Sequence, residues 1–259
     1  MQSKFWGPIG IFTVTFISVL LLREYSYHQL FAQGITDYSI HTSIGIMANI
    51  LIVAISYWLI KANDLFAIAG LKGKKTEKWY LLLFPLVYLV SLNLLIADEP
   101  SADTLFSQTA LFIVYCLSIG FAEELSIRGF LQSYFVKYFG GSKKGVLMSI
   151  LLASLFFGVV HLIKFDSGLY GEIAQLFYAS FIGLMFGILL IVCKRIYPLI
   201  IVHALIDFFA DIGEVGLPVQ QTVADPVSME NALLIVILTL PCLIYALILM
   251  YRYRYEAIE

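Results

Sequence analysis

Long uncharged apolar runs alternate along the chain with short polar connectors. Runs of about 17 to 25 apolar residues are long enough, as helices, to cross the hydrocarbon of a bilayer. They fall at roughly 7–22, 43–60, 79–96, 108–128, 146–163, 174–193, 198–213 and 231–251. The runs are continuously apolar instead of alternating at every second residue, which predicts helices and not barrel strands. The predicted fold class is therefore all-α: a polytopic membrane protein of about eight transmembrane helices in one bundle, with residues 1–259 as a single domain. The first run follows Lys4 and is followed by LLREYSYHQ with no small-residue cleavage pattern, so it reads as a retained span. The connectors are GITDYSI near residue 37, KGKKTEK at 72–78 and EVGLPVQQTVADPVSME at 214–230, and no internal repeat is visible.

Composition agrees with this pattern and narrows it. The chain is 61% hydrophobic and 13% charged, with a mean hydropathy of +0.91, which lies outside the range of soluble globular domains. The lipid bilayer is the first expected partner, and no basic surface segment suggests a nucleic-acid partner. An even number of spans puts both termini and the loops after spans two, four and six on one side. That side carries Lys4, then Lys61, Lys72, Lys74, Lys75 and Lys78, then Lys137, Lys143 and Lys144, then Lys194 and Arg195, and finally Arg252 and Arg254. Of the 16 basic residues only Arg23, Arg128 and Lys164 lie elsewhere, so the positive-inside rule predicts that both termini are cytoplasmic. The opposite face has Asp98, Glu99, Asp103, Glu214, Asp225 and Glu230. The three cysteines fall within or at the ends of spans and form no disulfide framework; they read as small buried hydrophobes. Pro85 and Pro241 predict kinks inside spans, whereas Pro198 suits the start of a helix.

One span breaks the apolar pattern: ALFIVYCLSIGFA is followed at once by EELSIRGF, residues 123–130. A charge in hydrocarbon costs on the order of 2.5–3.5 kcal/mol on insertion scales, so it needs a partner or a function. Glu124 and Arg128, four residues apart with the acid first, are spaced to pair along the helix. Glu123 points about 100° away from Glu124 and must find its partner on another span. The four histidines narrow the search. His28 and His41 belong to the first outer loop, where a solvated surface role is expected, but His161 and His203 lie within the fifth and seventh runs, and Asp207 is one turn beyond His203 on the same face. Counting from the turn at 140–143, Glu123 and His161 both stand about 26 Å above it. His203 lies about 12 Å above Arg195. The levels match if the hairpin of spans four and five protrudes through QSYFVKYFGGSKK, which predicts one polar cluster in the cytoplasmic half of the membrane. Ser118 and Ala122, Ser154 and Gly158, and the ladder Ala179, Gly183, Gly187 are small enough to let helices approach there.

Three short motifs, EELSIR at 123–128, FGVVH at 157–161 and HALID at 203–207, resemble the EExxxR, FxxxH and HxxxN/D pattern of the CAAX protease and bacteriocin-processing, or Abi, intramembrane peptidases. The helix count is similar to that of the Ras-converting endopeptidase branch. The motifs occur in the family's order within a core at about 105–212; outside it the resemblance rests on hydropathy.

The resemblance implies hydrolysis of a peptide bond in a membrane-associated peptide or protein, prenylated or leader-bearing. Glu123 would be the general base, His161 would share the water, and His203 would face the developing oxyanion. Glu124, Arg128 and Phe157 would hold these groups in place. Asp207 stands where many members have asparagine. It would serve as a neutral donor, orient His203, or bind metal, and a charge-bearing role is favoured because an aspartate is most easily kept buried beside positive charge. Glu123, His161, His203 and Asp207 would suit Zn2+ or another divalent ion, although no HExxH is present. Two other classes fit the residues: a catalytically silent relative acting as an immunity or scaffold protein, and an ion-coupled transporter, against which the lack of visible repeats argues.

Overall fold

A computed structural model describes residues 2–73, 75–96, 102–164, 167–220 and 226–255. Lys74, Asp98, Glu99 and Asp225 lie outside the described residues, as do the side chains of Lys4 and Asp103. The described residues form helices and no strand, as the continuous apolar runs require. In chain order these are α1 (Gln2–Ala32), α2 (Tyr38–Ala62), α3 (Leu83–Ile96), α4 (Ala102–Glu123), a π-helix (Glu124–Gln132), α5 (Ser133–Phe139), α6 (Lys143–Val160), α7 (Gly168–Cys193), α8 (Tyr197–Ala210) and α9 (Met229–Arg252).

Among the described residues seven helical stretches are long and apolar enough to cross a membrane. The run expected at 198–213 is the exception, because its helix, α8, has only 14 residues. At 1.5 Å per residue α8 is about 21 Å long, short of a hydrocarbon core of about 30 Å. Pro198 does fall in its first turn. Pro85 also lies in a first turn, that of α3, after the 3₁₀ turn Trp79–Leu82. There a missing N–H removes no helical hydrogen bond. Pro241 is inside α9.

α1 runs well past its apolar stretch, to Ala32, and this overturns the solvated reading of His41. His41 is 3% exposed. Its Nε2 donates to the carbonyl of Ile35 at 2.9 Å, and its ring lies 4.7 Å from that of Phe31. His28, on α1, is exposed.

The chain divides into two compact units, each assembled from separate segments. The first comprises residues 1–56, 79–124 and 197–221. Within it α8 packs against α3 and α4. Two buried or half-buried amides bond across helices of this unit: Asn93 Nδ2 on α3 donates to the carbonyl of Ile206 on α8 at 2.9 Å, and Asn49 Nδ2 on α2 donates to Ser118 Oγ on α4 at 3.0 Å. In hydrocarbon such bonds replace the hydrophobic drive that soluble helices use.

The second unit comprises residues 57–78, 125–196 and 222–259, with α7 packed between α6 and α9. Its centre is the apolar set Ile150, Met185, Phe186, Ile188 and Leu189, all fully buried. The predicted small-residue ladder is the seam between α6 and α7. A Cβ on Gly158 would lie 2.7 Å from the carbonyl oxygen of Leu176, and one on Gly187 would lie 2.7 Å from both Gln132 Oε1 and Ile150 Cγ2. Gln132 uses the space at Gly187 to donate from Nε2 to the Gly187 carbonyl at 3.0 Å, securing the end of the π-helix against α7.

Gly158→Ala should therefore lower the stability of the purified protein by about 1–3 kcal/mol, the usual cost of overpacking a tight seam. Thermal unfolding in detergent measures this, with Gly7→Ala, where nothing lies within 4 Å, as the neutral control.

Candidate active site

The first unit gathers three motif carboxylates around one imidazole, that of His203. Gly120 is the reason they can meet. A Cβ there would sit 2.8 Å from the carbonyl oxygen of Ile200 and 3.3 Å from the amide nitrogen of Ala204, so the bare glycine marks where α4 lies against α8. One turn further come Glu123, the last residue of α4, and Glu124, the first of the π-helix, while α8 presents His203 and Asp207.

His203 Nδ1 and Glu124 Oε1 are 2.7 Å apart. A carboxylate can only accept, so the proton is on Nδ1. The other ring nitrogen, Nε2, lies 3.4 Å from Glu123 Oε2 and 3.8 Å from Asp207 Oδ1. A neutral Nε2 and an ionised carboxylate are both acceptors, so the close approach of Glu123 calls for a proton between them, either on the imidazole or on the carboxyl. The side chains differ sharply in access: Glu124 is 0% exposed, His203 10%, Asp207 21% and Glu123 29%. Glu124 thus meets the imidazole from the buried side, and Glu123 is the more accessible acid. Asp207 Oδ2 is buried and has no hydrogen-bond partner among the described residues.

The remaining motif residues, Arg128, Phe157 and His161, belong to the second unit and form a chain of contacts of their own. The Arg128 guanidinium lies over the ring of Phe157, 4.7 Å from its centroid, and 5.6 Å from that of Phe186. Such cation–π contacts are strongest where both partners are dry, and Arg128 is fully buried. Phe157 then meets the His161 ring edge to face at 4.6 Å. The Phe157 carbonyl accepts the Nδ1–H of His161 at 2.7 Å. That bond fixes the tautomer and leaves the lone pair on Nε2 of the neutral ring. Arg128 sits inside the π-helix that begins at Glu124. The pattern gave no sign of the aromatic surroundings of the guanidinium, because Phe186 comes from a helix without a motif.

Glu172 is a buried acid that motif reasoning passes over. It lies in the second turn of α7, 2% exposed, and its Oε1 accepts the backbone N–H of Ser167 at 3.0 Å. Its place just ahead of the run at 174–193 makes it look like a connector residue.

A divalent ion has a chemically suitable partner in His203, since metal-ligating histidines commonly donate their other N–H to a carboxylate. The spatial arrangement is less favourable. Among the described residues no three His, Cys, Asp or Glu side chains are grouped to hold a metal ion.

These motifs lie in a segment that matches a family model. Residues 105–209 match the family model described as type II CAAX prenyl endopeptidase Rce1-like. The match contains EELSIR, FGVVH and HALID, and it is the CAAX protease family that the motifs resemble. This is a family of CAAX-type intramembrane endopeptidases acting on membrane-associated proteins, and with the seven apolar helices it supports an integral, multi-pass membrane peptidase. No curated protein and no solved structure matches the chain.

Two substitutions separate the approach of the helices from the pairing of the charges. Gly120→Ala should lower thermal stability, because its Cβ meets backbone and not a movable side chain. Glu124→Ala should cost about 1–3 kcal/mol or more, since it leaves the buried Nδ1–H of His203 without an acceptor. Unfolding midpoints measured side by side should show both losses; an unchanged midpoint for Glu124→Ala would show that the bond is not made.

Proposed function

We propose that this protein is an intramembrane endopeptidase that hydrolyses a peptide bond in a membrane-associated peptide or protein, prenylated or leader-bearing, through water activated by glutamate and histidine. The observation that carries this reading is the imidazole of His203 held between a fully buried carboxylate, Glu124, and a more accessible one, Glu123.

Glu123 takes a proton from water as the oxygen attacks the scissile carbonyl, forming the C–O bond and moving the carbonyl π electrons onto oxygen. His203, with Nδ1–H fixed on Glu124, presents Nε2–H to that oxyanion. Collapse of the tetrahedral intermediate breaks the C–N bond, and Glu123 returns its proton to the leaving amine. His161 enters on its motif alone, as the residue that the family resemblance would have share the water; within its own unit the Phe157 carbonyl holds its Nδ1–H. Asp207 carries negative charge that balances the proton on His203. The distribution of basic residues supports a site in the cytoplasmic half of the membrane with both termini in the cytoplasm. Substrate then enters from the cytoplasm or laterally from the inner leaflet.

Replacing Glu123, His161 or His203 by alanine should each abolish cleavage of a peptide library, with double variants costing little more than single ones, because groups that act as a unit are non-additive. Three small, additive losses would refute the shared role. Asp207→Asn tests the charge and the metal together. The expected result is a loss of about tenfold or more in turnover, the effect of removing about 1.4 kcal/mol of charge balance from the transition state, with a strong chelator leaving both wild type and variant unchanged. Full activity in the variant would show the charge to be unnecessary, and wild-type activity lost to chelator and restored by zinc would replace the metal-free route with a metal-dependent one.

A further inference from the structure

The end of the second unit at the α6 N-terminus carries a feature unrelated to the motifs. A concave groove of about 570 Å³ lies among α6, α7 and α9. Its walls are apolar, with Leu147 and Leu151 from α6, Leu184 from α7 and Leu247 from α9, and its mouth carries Lys143 and Lys144. The volume falls within the range of pockets that hold small molecules, about 300–1,000 Å³.

The mouth has the chemistry of a membrane–water interface. Lys143 Nζ donates to the carbonyl of Tyr251 at 2.9 Å, one of the last carbonyls of α9, which have no partner in their own helix. That bond fixes the N-terminus of α6 against the C-terminus of α9 and leaves Lys143 two further donors. Lys144, beside it, is exposed. The same end bears Tyr251, 85% exposed, and the exposed Arg252 and Arg254. Tyrosines and basic side chains of this kind mark the headgroup level of a bilayer. From Lys144 to Leu151 the α6 wall descends about 10 Å into the apolar zone.

A site with two ammonium groups at headgroup level and a leucine-lined trough below them is complementary to an amphiphile with an anionic head. We propose that this groove binds one anionic phospholipid of the adjoining leaflet. Lys144 and Lys143 hold its phosphate, and one acyl chain lies along Leu147, Leu151, Leu184 and Leu247. Any lipid would wet the leucines, but the paired lysines select an anionic head over a zwitterionic one. The inference rests on the chain's being a membrane protein and is independent of its peptidase chemistry.

The test uses the full-length protein in phosphatidylcholine nanodiscs doped with a small fraction of phosphatidylglycerol carrying a photoactivatable acyl chain, or with phosphatidylcholine carrying the same chain. After irradiation and proteolysis, mass spectrometry reads the labelled segments. Residues 144–151 and 244–250 should be labelled several-fold more by the phosphatidylglycerol probe, and excess unlabelled phosphatidylglycerol should compete. Lys144→Gln should reduce that labelling by about fivefold, the effect of one basic residue at an anionic surface. Leu151→Trp, which fills the trough, should displace the chain. Equal labelling by the two probes, or labelling indifferent to Lys144→Gln in a variant that unfolds at the wild-type temperature, would overturn the proposal. Should either variant fail to fold, the ratio of the two probes on the wild type decides alone.

Discussion

The bond between His203 Nδ1–H and the Glu124 carboxylate is the constraint on which the first unit depends. Both groups are buried, and Glu124 entirely so. Burying a carboxylate is costly unless donors such as this imidazole hold it. The bond is worth having only if α4 and α8 come close enough for the side chains to touch without a bridging water. Gly120 supplies that closeness through its missing side chain, and Asn93 fixes the far side of α8 by bonding the carbonyl of Ile206. Glycine, amide and ion pair are therefore one device. A helix seam in lipid gains little from apolar burial, and its specificity has to come from fit and polar pairing.

The second unit solves a related problem with different chemistry. Arg128 is a full positive charge with no exposure to solvent, and it is surrounded by the ring faces of Phe157 and Phe186. Aromatic faces hold a weakly hydrated guanidinium in dry surroundings better than they would hold an ammonium, so lysine is a poor substitute here. Phe157 gives its ring face to Arg128, its edge contact to His161 and its carbonyl to the His161 N–H. One residue thus fixes both the orientation and the tautomer of a histidine four positions on. The FxxxH spacing has a mechanical meaning: one helical turn aligns the carbonyl of the phenylalanine with the imidazole.

The length of α8 also follows from its polar content. A helix bearing His203 and Asp207 on one side and ending just before Asp211 is poorly suited to a full crossing of hydrocarbon. Its 14 residues suffice to present both side chains to α4. Exposure then divides the labour between neighbouring acids of the same type. Glu124 is sealed and Glu123 is 29% exposed, the difference that supports the proposed split between an orienting acid and a reacting one.

Much of this was legible in the chain because hydropathy and helical spacing are local properties. Uninterrupted apolar runs require helices, since no other open structure satisfies its backbone in lipid, and the i,i+4 rule places His203 and Asp207 on one face before any fold is known. The order and spacing of EELSIR, FGVVH and HALID likewise mark the candidate residues and the family segment without coordinates. What the sequence could not fix depends on groups distant in the chain. Hydropathy counts residues and cannot see where a helix stops, so a 16-residue run became a 14-residue α8, and the first run became a helix long enough to bury His41. Spacing assumes α geometry, so the π-winding after Glu123 and the aromatic bed of Arg128 were invisible to it. The choice of partner for Glu124, His203 on a helix 79 positions away, was made by the packing of α4 on α8. Short-range stereochemistry writes periodicity into a sequence; the pairing of buried charges is settled only where helices far apart in the chain come into contact.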